Sequence, residues 1–484
     1  MKRTLSKLDA YQAIAFITGF GLLTYELIAS RLLAPTIGSS IYVWTSVIGV
    51  IIAALSLGYT IGGSLADKRT DPLDISWLLI MSSAGVLTTL ILSPIILSAV
   101  TVLFADPRLQ GLFASLLLFA PTSFVLGMIS PYLAKLKNVS LKTTGSTIAS
   151  LSALNAMGSI TGTFLTGFIF MAYIGSSETL ILVCLTLLAS SWLILPRSLQ
   201  QPRLAASAIV ILIAVLAQLG AITSTSAITI DTPTSSYELI DATIAGRDVR
   251  VLSSGPGAYQ SGVFLDKDPS LVFAYTKTLA KVVDEAPRKE RILVLGGGAY
   301  TLPQHLARAY PKAQIDVVEI DAKLASVARK HFDYNPPANI TDYHLDARAF
   351  LNQTDNTYDV VLVDVFSDTQ IPFSVTTAQY GQQLRHILNP EGTVVTNFIG
   401  TNNGACSQLL GSIYKTYRQN FATGKILPLG DEAMTNSQNI IMAFSQTELA
   451  WLKNGWREYE PSSASLVLRD NFAPVEQLQA RCPA

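Results

Sequence analysis

Gly296-Gly297-Gly298 closes an apolar run over 291–295, and three carboxylates follow at the ends of later apolar runs: Glu319, Asp346 and Asp364. Glycines at a strand-to-helix turn let backbone approach a ligand, because no Cβ stands between them. Glu319, in Val317-Val318-Glu319-Ile320-Asp321, comes roughly 20 residues on, where a carboxylate accepts hydrogen bonds from the two hydroxyls of a ribose. Asp321 is a second candidate for that contact, or the cap of a helix opening at Ala322. Asp346 suits the exocyclic amine of an adenine, with the Ala347 N–H facing the ring; capping the next helix is its alternative. Asp364 and Asp368 share one loop and make an acidic mouth, which suits a cationic amine: a carboxylate there holds an ammonium or takes its proton before nucleophilic attack. Gln260 belongs to a segment that could fold over this pocket. The motif is not the dinucleotide G-x-G-x-x-G, since no third glycine follows at that offset, and without Lys-Ser/Thr it is no phosphate-cradling loop. An adenosine-like small molecule is the ligand these residues describe.

The elements that must position them follow from the pattern. Strands are expected at 292–295, 315–320, 340–344, 359–363 and 393–398, with helices between, one opening at Thr301 with Pro303 in its first turn. That alternation describes an open, mostly parallel α/β sheet, whose ligands bind at the C-terminal rim of the strands. Ahead of it, 237–244, 247–253 and 261–265 are β-rich around turn residues and predict a small antiparallel sheet. A Ser/Thr-rich connector without Lys or Arg covers 221–236.

The N-terminal half has another character. Of the 484 residues only 14% are charged, the net charge is zero, and the mean hydropathy is +0.39. The charges concentrate after residue 222. Seven apolar segments, near 11–33, 41–65, 75–98, 111–134, 146–173, 177–195 and 204–222, approach the ~20 residues that cross a bilayer. The first is too long for a cleaved signal peptide and further spans follow it directly. Pro121 and Pro131 are expected to kink the fourth. Gly58/Gly62, Gly158/Gly162 and Thr163/Gly167 have the four-residue spacing of close helix contacts. Glu26 and Arg31 are the notable charged pair in the spans, and the scarcity of other acids or histidines there argues against proton-coupled transport. The basic residues of alternate loops place the N-terminus in the cytoplasm, and an odd span count would then put the C-terminal part outside an inner (cell) membrane. Cys184, Cys406 and Cys482 suit neither a metal site nor a disulfide framework by spacing.

Together these stretches resemble the spermidine synthases (polyamine aminopropyltransferases), and the whole chain is similar to their membrane-embedded, multispan relatives. The resemblance rests on Leu295-Gly-Gly-Gly-Ala-Tyr-Thr-Leu-Pro303, Val317-Val-Glu-Ile-Asp321, Asp346-Ala-Arg348 and Tyr358-Asp-Val-Val-Leu-Val-Asp364. In the N-terminal half it rests on Glu26, Arg31-Leu-Leu-Ala-Pro35, Tyr42-Val-Trp44 and Gly58-Tyr-Thr-Ile-Gly-Gly-Ser-Leu-Ala-Asp67. It implies a class I methyltransferase-like (Rossmann-like) α/β domain behind a small antiparallel β-domain and a multispan α-helical transmembrane domain. The implied co-substrate is decarboxylated S-adenosylmethionine, with no metal. Glu319 would hold the ribose, Asp346 the adenine and Gln260 the methionine-derived tail, while Asp364 would be base or amine anchor and Tyr237 sits at a place the family uses. Departures are visible too. Tyr300 and Pro303-Gln304 replace a further glycine and Arg-Glu; the Asp364/Asp368 spacing is one residue wide; the stretch near Tyr275 lacks His-Glu; Ser374 replaces a His.

The expected domains are therefore 1–222 (transmembrane, about seven helices), 223–270 (linker and small β-domain) and 271–484 (nucleoside-binding α/β domain). The expected activity is aminopropyl transfer to an amine such as putrescine, releasing methylthioadenosine. The alternatives are S-adenosylmethionine-dependent methyl transfer to an amine or membrane-associated acceptor, and a non-enzymatic transporter-like protein that responds to polyamine or nucleoside. The expected partners are a small amine and the lipid bilayer, without nucleic acid; homo-oligomerisation is left open.

Overall fold

The computed structural model describes residues 2–479 apart from 39, 105, 138–142, 195–200, 219–227, 233, 256–258 and 366–370. The chain divides into two compact units: Met1–Ser226 with Ile230–Ser236, and Ala227–Thr229 with Tyr237–Ala484.

The first unit is helical. Its elements are α1 (Lys2–Ile37), α2 (Ile41–Lys68), α3 (Pro72–Leu103), α4 (Pro107–Leu118), α5 (Ala120–Lys137) and α6 (Thr144–Leu165). A π turn over Thr166–Phe170 leads into α7 (Met171–Tyr173), α8 (Ser176–Ser190) and α9 (Gln201–Gln218). Two Asp-Pro pairs set helix starts: Asp71 accepts from the Leu73 N–H and Asp106 from the Arg108 N–H, each with proline at the first helical position. Close helix packing occurs at Gly58 and Gly62 of α2 against α5, and at Gly158 and Gly162 of α6 against α1; a Cβ on Gly158 would collide with the Phe16 carbonyl. The Thr163/Gly167 pair does not belong with these, for nothing lies within 4 Å of a Cβ built on Gly167.

Ala10–Ile37, Ile41–Lys68, Pro72–Leu103 and Thr144–Phe170 are long and apolar enough to cross a membrane, and Arg108–Leu118 with Ala120–Lys137, bent by 51°, makes a fifth if the pair is one span. Within the described residues the last two apolar segments form shorter helices, Ser176–Ser190 and Pro202–Leu216. Hydropathy counts apolar residues and does not see where helices stop. The bend falls at Phe119, just before Pro121, and the Leu118 carbonyl there accepts from the Thr89 hydroxyl (2.9 Å) and the Tyr25 hydroxyl (3.2 Å). Arg31 reaches the connector, where its guanidinium donates to the Thr232 carbonyl at 3.4 Å.

Two sheets follow the helices. The smaller joins β1 (Ile228–Asp231), β2 (Ser236–Ile244), β3 (Arg247–Ser253) and β4 (Tyr259–Phe264) in that order, with β2, β3 and β4 antiparallel. After α10 (Ala274–Glu285), strands and helices alternate: β5 (Arg291–Leu295), α11 (Thr301–Ala309), β6 (Gln314–Val318), α12 (Ala322–His331), β7 (Ile340–Tyr343), α13 (Ala347–Gln353) and β8 (Tyr358–Val363). Then come α14 (Ala378–His386), β9 (Leu388–Gly400), α15 (Ser407–Tyr417), β10 (Thr423–Pro428), β11 (Gln438–Ser445) and α16 (Val475–Gln479). The larger sheet runs β10-β11-β9-β8-β5-β6-β7, with β5 to β9 mutually parallel and β11 alone reversed against both neighbours. This is the Rossmann-like sheet of the methyltransferases. Every residue of β8 is buried, as a strand covered on both faces requires. The order reverses between β5 and β8, and the crevice at that switch point is where open α/β sheets bind ligands.

Cys406 is buried and disulfide-bonded, which corrects the expectation of no disulfide framework; Cys184 is free and buried, and Cys482 lies outside the described residues. The 222/223 boundary also falls outside them.

Candidate functional site

The chemistry-bearing residues meet at the C-terminal ends of β5, β6 and β8. Gly296 leaves β5 with φ of +95°, and a Cβ there would strike the Asp364 carbonyl. Only glycine fits, and the turn is thereby pressed against the end of β8. The next two N–H groups, of Gly297 and Gly298, donate to Glu319 Oε2 at 2.8 and 3.0 Å, while Oε1 accepts from the Asp321 N–H at 3.0 Å. Burial pushes the Glu319 carboxyl up from its usual pKa, and those three backbone donors pull it back. Ser261 of β4 accepts from the Ala299 N–H at 3.0 Å, so the small sheet ties down the same turn. Tyr300 completes the turn in the left-handed region (φ 59°), its ring stacked on Tyr334 at 4.7 Å and its hydroxyl donating to Asp342 at 2.7 Å.

Asp346 is the cap of its helix and also faces the cavity. Its Oδ1 caps α13, accepting from the Arg348 and Ala349 N–H groups at 2.9 and 3.0 Å. Asp364 is half-buried, and its Oδ1 accepts from Asn397 Nδ2 at 3.2 Å. Burial raises its pKa to about 6; hydrogen bonds from Asn397 and Tyr275 work the other way. The Tyr275 phenol is pushed well above its normal range, first by burial and then by the charge of Asp364, and its hydroxyl donates to the Gln260 carbonyl at 2.7 Å. The Gln260 amide donates to Ser254 at 2.9 Å.

One cavity of about 460 Å³ joins these groups, a size ordinary for a small-molecule site. Of the residues expected from sequence, Tyr237, Gln260, Gly296, Gly297, Gly298, Glu319, Asp346, Ala347 and Asp364 line it. Asp321 does not: it is buried as the cap of α12, accepting from the Lys323 N–H at 3.0 Å, which removes it as a ribose contact. Asp368 lies outside the described residues. Sequence reasoning passed over Ser261, Tyr275, Asn397 and Asn439, which also line the cavity. Asn397 had a signal: a lone amide in Thr393-Val-Val-Thr-Asn-Phe398, an otherwise strand-like run aimed at the rim. Tyr275 had none, since it stands in an amphipathic helix where one buried aromatic reads as core. Ser374 faces the same cavity.

A Rossmann-like sheet with a glycine turn at its switch point and a buried carboxylate after the second strand has the fold of the methyltransferase class. Within that class the comparisons are specific. Residues 272–423 match the Spermine/spermidine synthase domain. A probable polyamine aminopropyl transferase of Bifidobacterium longum is 30% identical over 245 residues, 44% of this chain and 54% of that protein. A polyamine aminopropyltransferase of Vibrio vulnificus is 31% identical over 159 residues, 32% of this chain and 51% of that one. A crystal structure of a probable spermidine synthase from Corynebacterium glutamicum aligns over 47% of this chain and 82% of its own, with 26% identity and a TM-score of 0.40. Residues 272–423 thus carry the likeness to the spermine/spermidine synthase domain. It spans about half the length of the curated relatives it matches.

Proposed function

We propose that the chain is an integral membrane aminopropyltransferase, moving an aminopropyl group from decarboxylated S-adenosylmethionine to an amine such as putrescine. One observation carries this reading: Glu319 and Asp364, on opposite sides of one glycine turn, line one cavity of nucleoside size. Glu319 has three lone-pair directions engaged by backbone and one left for a ribose hydroxyl. Asp346, its Oδ1 capping α13, keeps Oδ2 for the adenine amine, with the Ala347 N–H beside it. Gln260 and Tyr237 take the sulfonium end, and Asp364 with Asp368 holds the amine.

The reaction needs little covalent help. The amine nitrogen attacks the propyl carbon bonded to the sulfonium, a C–N bond forms, and the C–S bond breaks with its electron pair going to sulfur. Methylthioadenosine leaves as a neutral thioether. Before attack the incoming ammonium gives a proton to Asp364 or, through it, to water, which frees the nitrogen lone pair; the product leaves as an ammonium. A carboxylate with pKa about 6 is ionised at neutral pH, so it stabilises positive charge growing on nitrogen as charge leaves sulfur. Holding the two reactants in line supplies much of the remaining rate. Membrane insertion is supported by the four long apolar helices and by the outward large side chains of α2 and α6, among them Ile52, Leu57, Met157 and Phe164.

The test is incubation of the purified full chain with putrescine and decarboxylated S-adenosylmethionine. Methylthioadenosine and a matching alkylated amine are expected. Adenosylhomocysteine from S-adenosylmethionine, with no methylthioadenosine from the decarboxylated form, would overturn the reading in favour of methyl transfer.

A further inference from the structure

Asp364 is held from one side by an amide whose own orientation is set by a second amide. Asn397 of β9 donates through Nδ2 to Asp364 Oδ1 at 3.2 Å, and its Oδ1 accepts from Asn439 Nδ2 of β11 at 2.9 Å. The strands pair antiparallel with Ile441 opposite Asn397 and Asn439 opposite Ile399. Asn397 and Asn439 are therefore diagonal neighbours on one face of the sheet, and both line the cavity. An asparagine amide is nearly symmetric in shape, so only its partners decide whether NH₂ or C=O points at a given neighbour. Without a donor at 439, the Asn397 amide is oriented by the charge of Asp364 alone, and that hold is lost whenever the carboxyl is protonated.

We propose that Asn439 is a positioning residue: by donating to Asn397 it keeps the Asn397 NH₂ on Asp364, and so sets the ionisation and aim of the carboxylate that receives the amine. The inference rests on the proposed function for the amine's role; the relay itself is a property of three side chains on three adjacent strand segments. Among the described residues, the groups facing Asp364 are Tyr275 from α10 and Asn397 from β9. Tyr275 stays neutral across the working range, since its pKa is raised further. The loop after β8 carries Asp368, outside the described residues. Asn397 is thus the neutral donor whose loss moves the Asp364 titration upward.

The experiment compares the wild type with Asn439→Leu, which removes the donor at similar volume, in the full chain. Turnover is followed from pH 5 to 9, with methylthioadenosine binding as the measure of an intact nucleoside pocket. The acid limb is expected to move up by roughly one pH unit, with methylthioadenosine affinity within about threefold of wild type. An acid limb at its wild-type position, whether rates are unchanged or scaled equally at every pH, overturns the relay and leaves Asn439 as packing. Should Asn439→Leu lose methylthioadenosine binding, Asn439→Ala decides, being neutral and unable to donate: the same upward displacement is expected, and none overturns the proposal. Titration of the Asp364 carboxyl by ¹³C NMR in wild type and variant makes the same comparison without turnover. The relay and the aminopropyl reading therefore fail separately.

Discussion

Glu319 and Asp364 follow β6 and β8, the two neighbours of β5, and the glycine turn of β5 lies between them. Both carboxyls are raised by burial, yet their surroundings differ in kind. Glu319 accepts three backbone N–H groups, donors that cannot rotate away, and so becomes a fixed acceptor that shapes the turn and presents a remaining lone pair. Asp364 is contacted by one side-chain amide and stands by a phenol, and its pKa reaches about 6. Burial alone does not make a carboxylate a ligand or a base. The number and rigidity of its donors decide, and a single sheet rim supplies both outcomes.

The strongest way to break that contrast is Asp364→Asn. Turnover is expected to fall by about 10²–10⁴-fold, the range for loss of a proton-accepting group, with methylthioadenosine binding within a few-fold by calorimetry. Equal losses in both would make Asp364 part of the nucleoside pocket. The same variant has a stability consequence whose sign is fixed. The folded pKa, about 6, lies above the unfolded value near 3.8, so the native state binds the extra proton between them. Asp364 therefore favours folding below pH 3.8, loses that contribution as pH rises through 6, and weighs against the fold at pH 8. Asp364→Asn is expected to raise stability at pH 8 by roughly 1–3 kcal/mol, a gain that shrinks toward pH 4. A variant no more stable than wild type at pH 8 would contradict the raised pKa. In the wild type, turnover should decline as pH drops through about 6.

Glu319→Gln comes next. The amide oxygen cannot serve all three N–H groups, and its own NH₂ would face buried donors, an unpaired arrangement costing about 1–3 kcal/mol. Nucleoside affinity is expected to drop by roughly 10–100-fold, with turnover at saturating co-substrate less affected. An unchanged binding isotherm would show that the turn holds its shape without the carboxylate.

The sheet and its rim were legible because each strand is a short β-branched run ending in glycine or carboxylate, as in Ile292–Leu295 and Val360–Val363, and because the helix starts carry Asp caps. What escaped reading depends on distant partners. β10 and β11 lie late in a segment of mixed polarity; β11 becomes a strand by pairing with β9, and β10 by pairing with β11. Asp321 was equally good as ligand or cap in one dimension; burial beneath α12 resolves it. Asn439 is unremarkable in Ser437-Gln-Asn-Ile-Ile441 until β11 folds beside β9 and sets it against Asn397. In the helical unit, helix ends are set by caps and breaks, which hydropathy does not register.

The smallest expected effect lies at Asp346, and it separates two duties of one side chain. Its Oδ1 caps α13, and replacement by alanine removes both the cap, worth about 1 kcal/mol, and any contact with the adenine. Asparagine caps nearly as well, so Asp346→Asn keeps the helix and alters only what the free oxygen presents. A carboxylate accepts from the 6-amino group of adenine and repels the 6-oxo group of the deaminated nucleoside; an amide can turn to suit either. Wild type should therefore prefer methylthioadenosine over methylthioinosine by roughly tenfold, and Asp346→Asn should lose most of that preference while binding the adenine form within about fivefold. Unaltered discrimination would leave Asp346 as a cap alone, and recognition of the base would then fall to the Ala347 N–H and the apolar walls, Ile320 and Leu345, that line the same cavity.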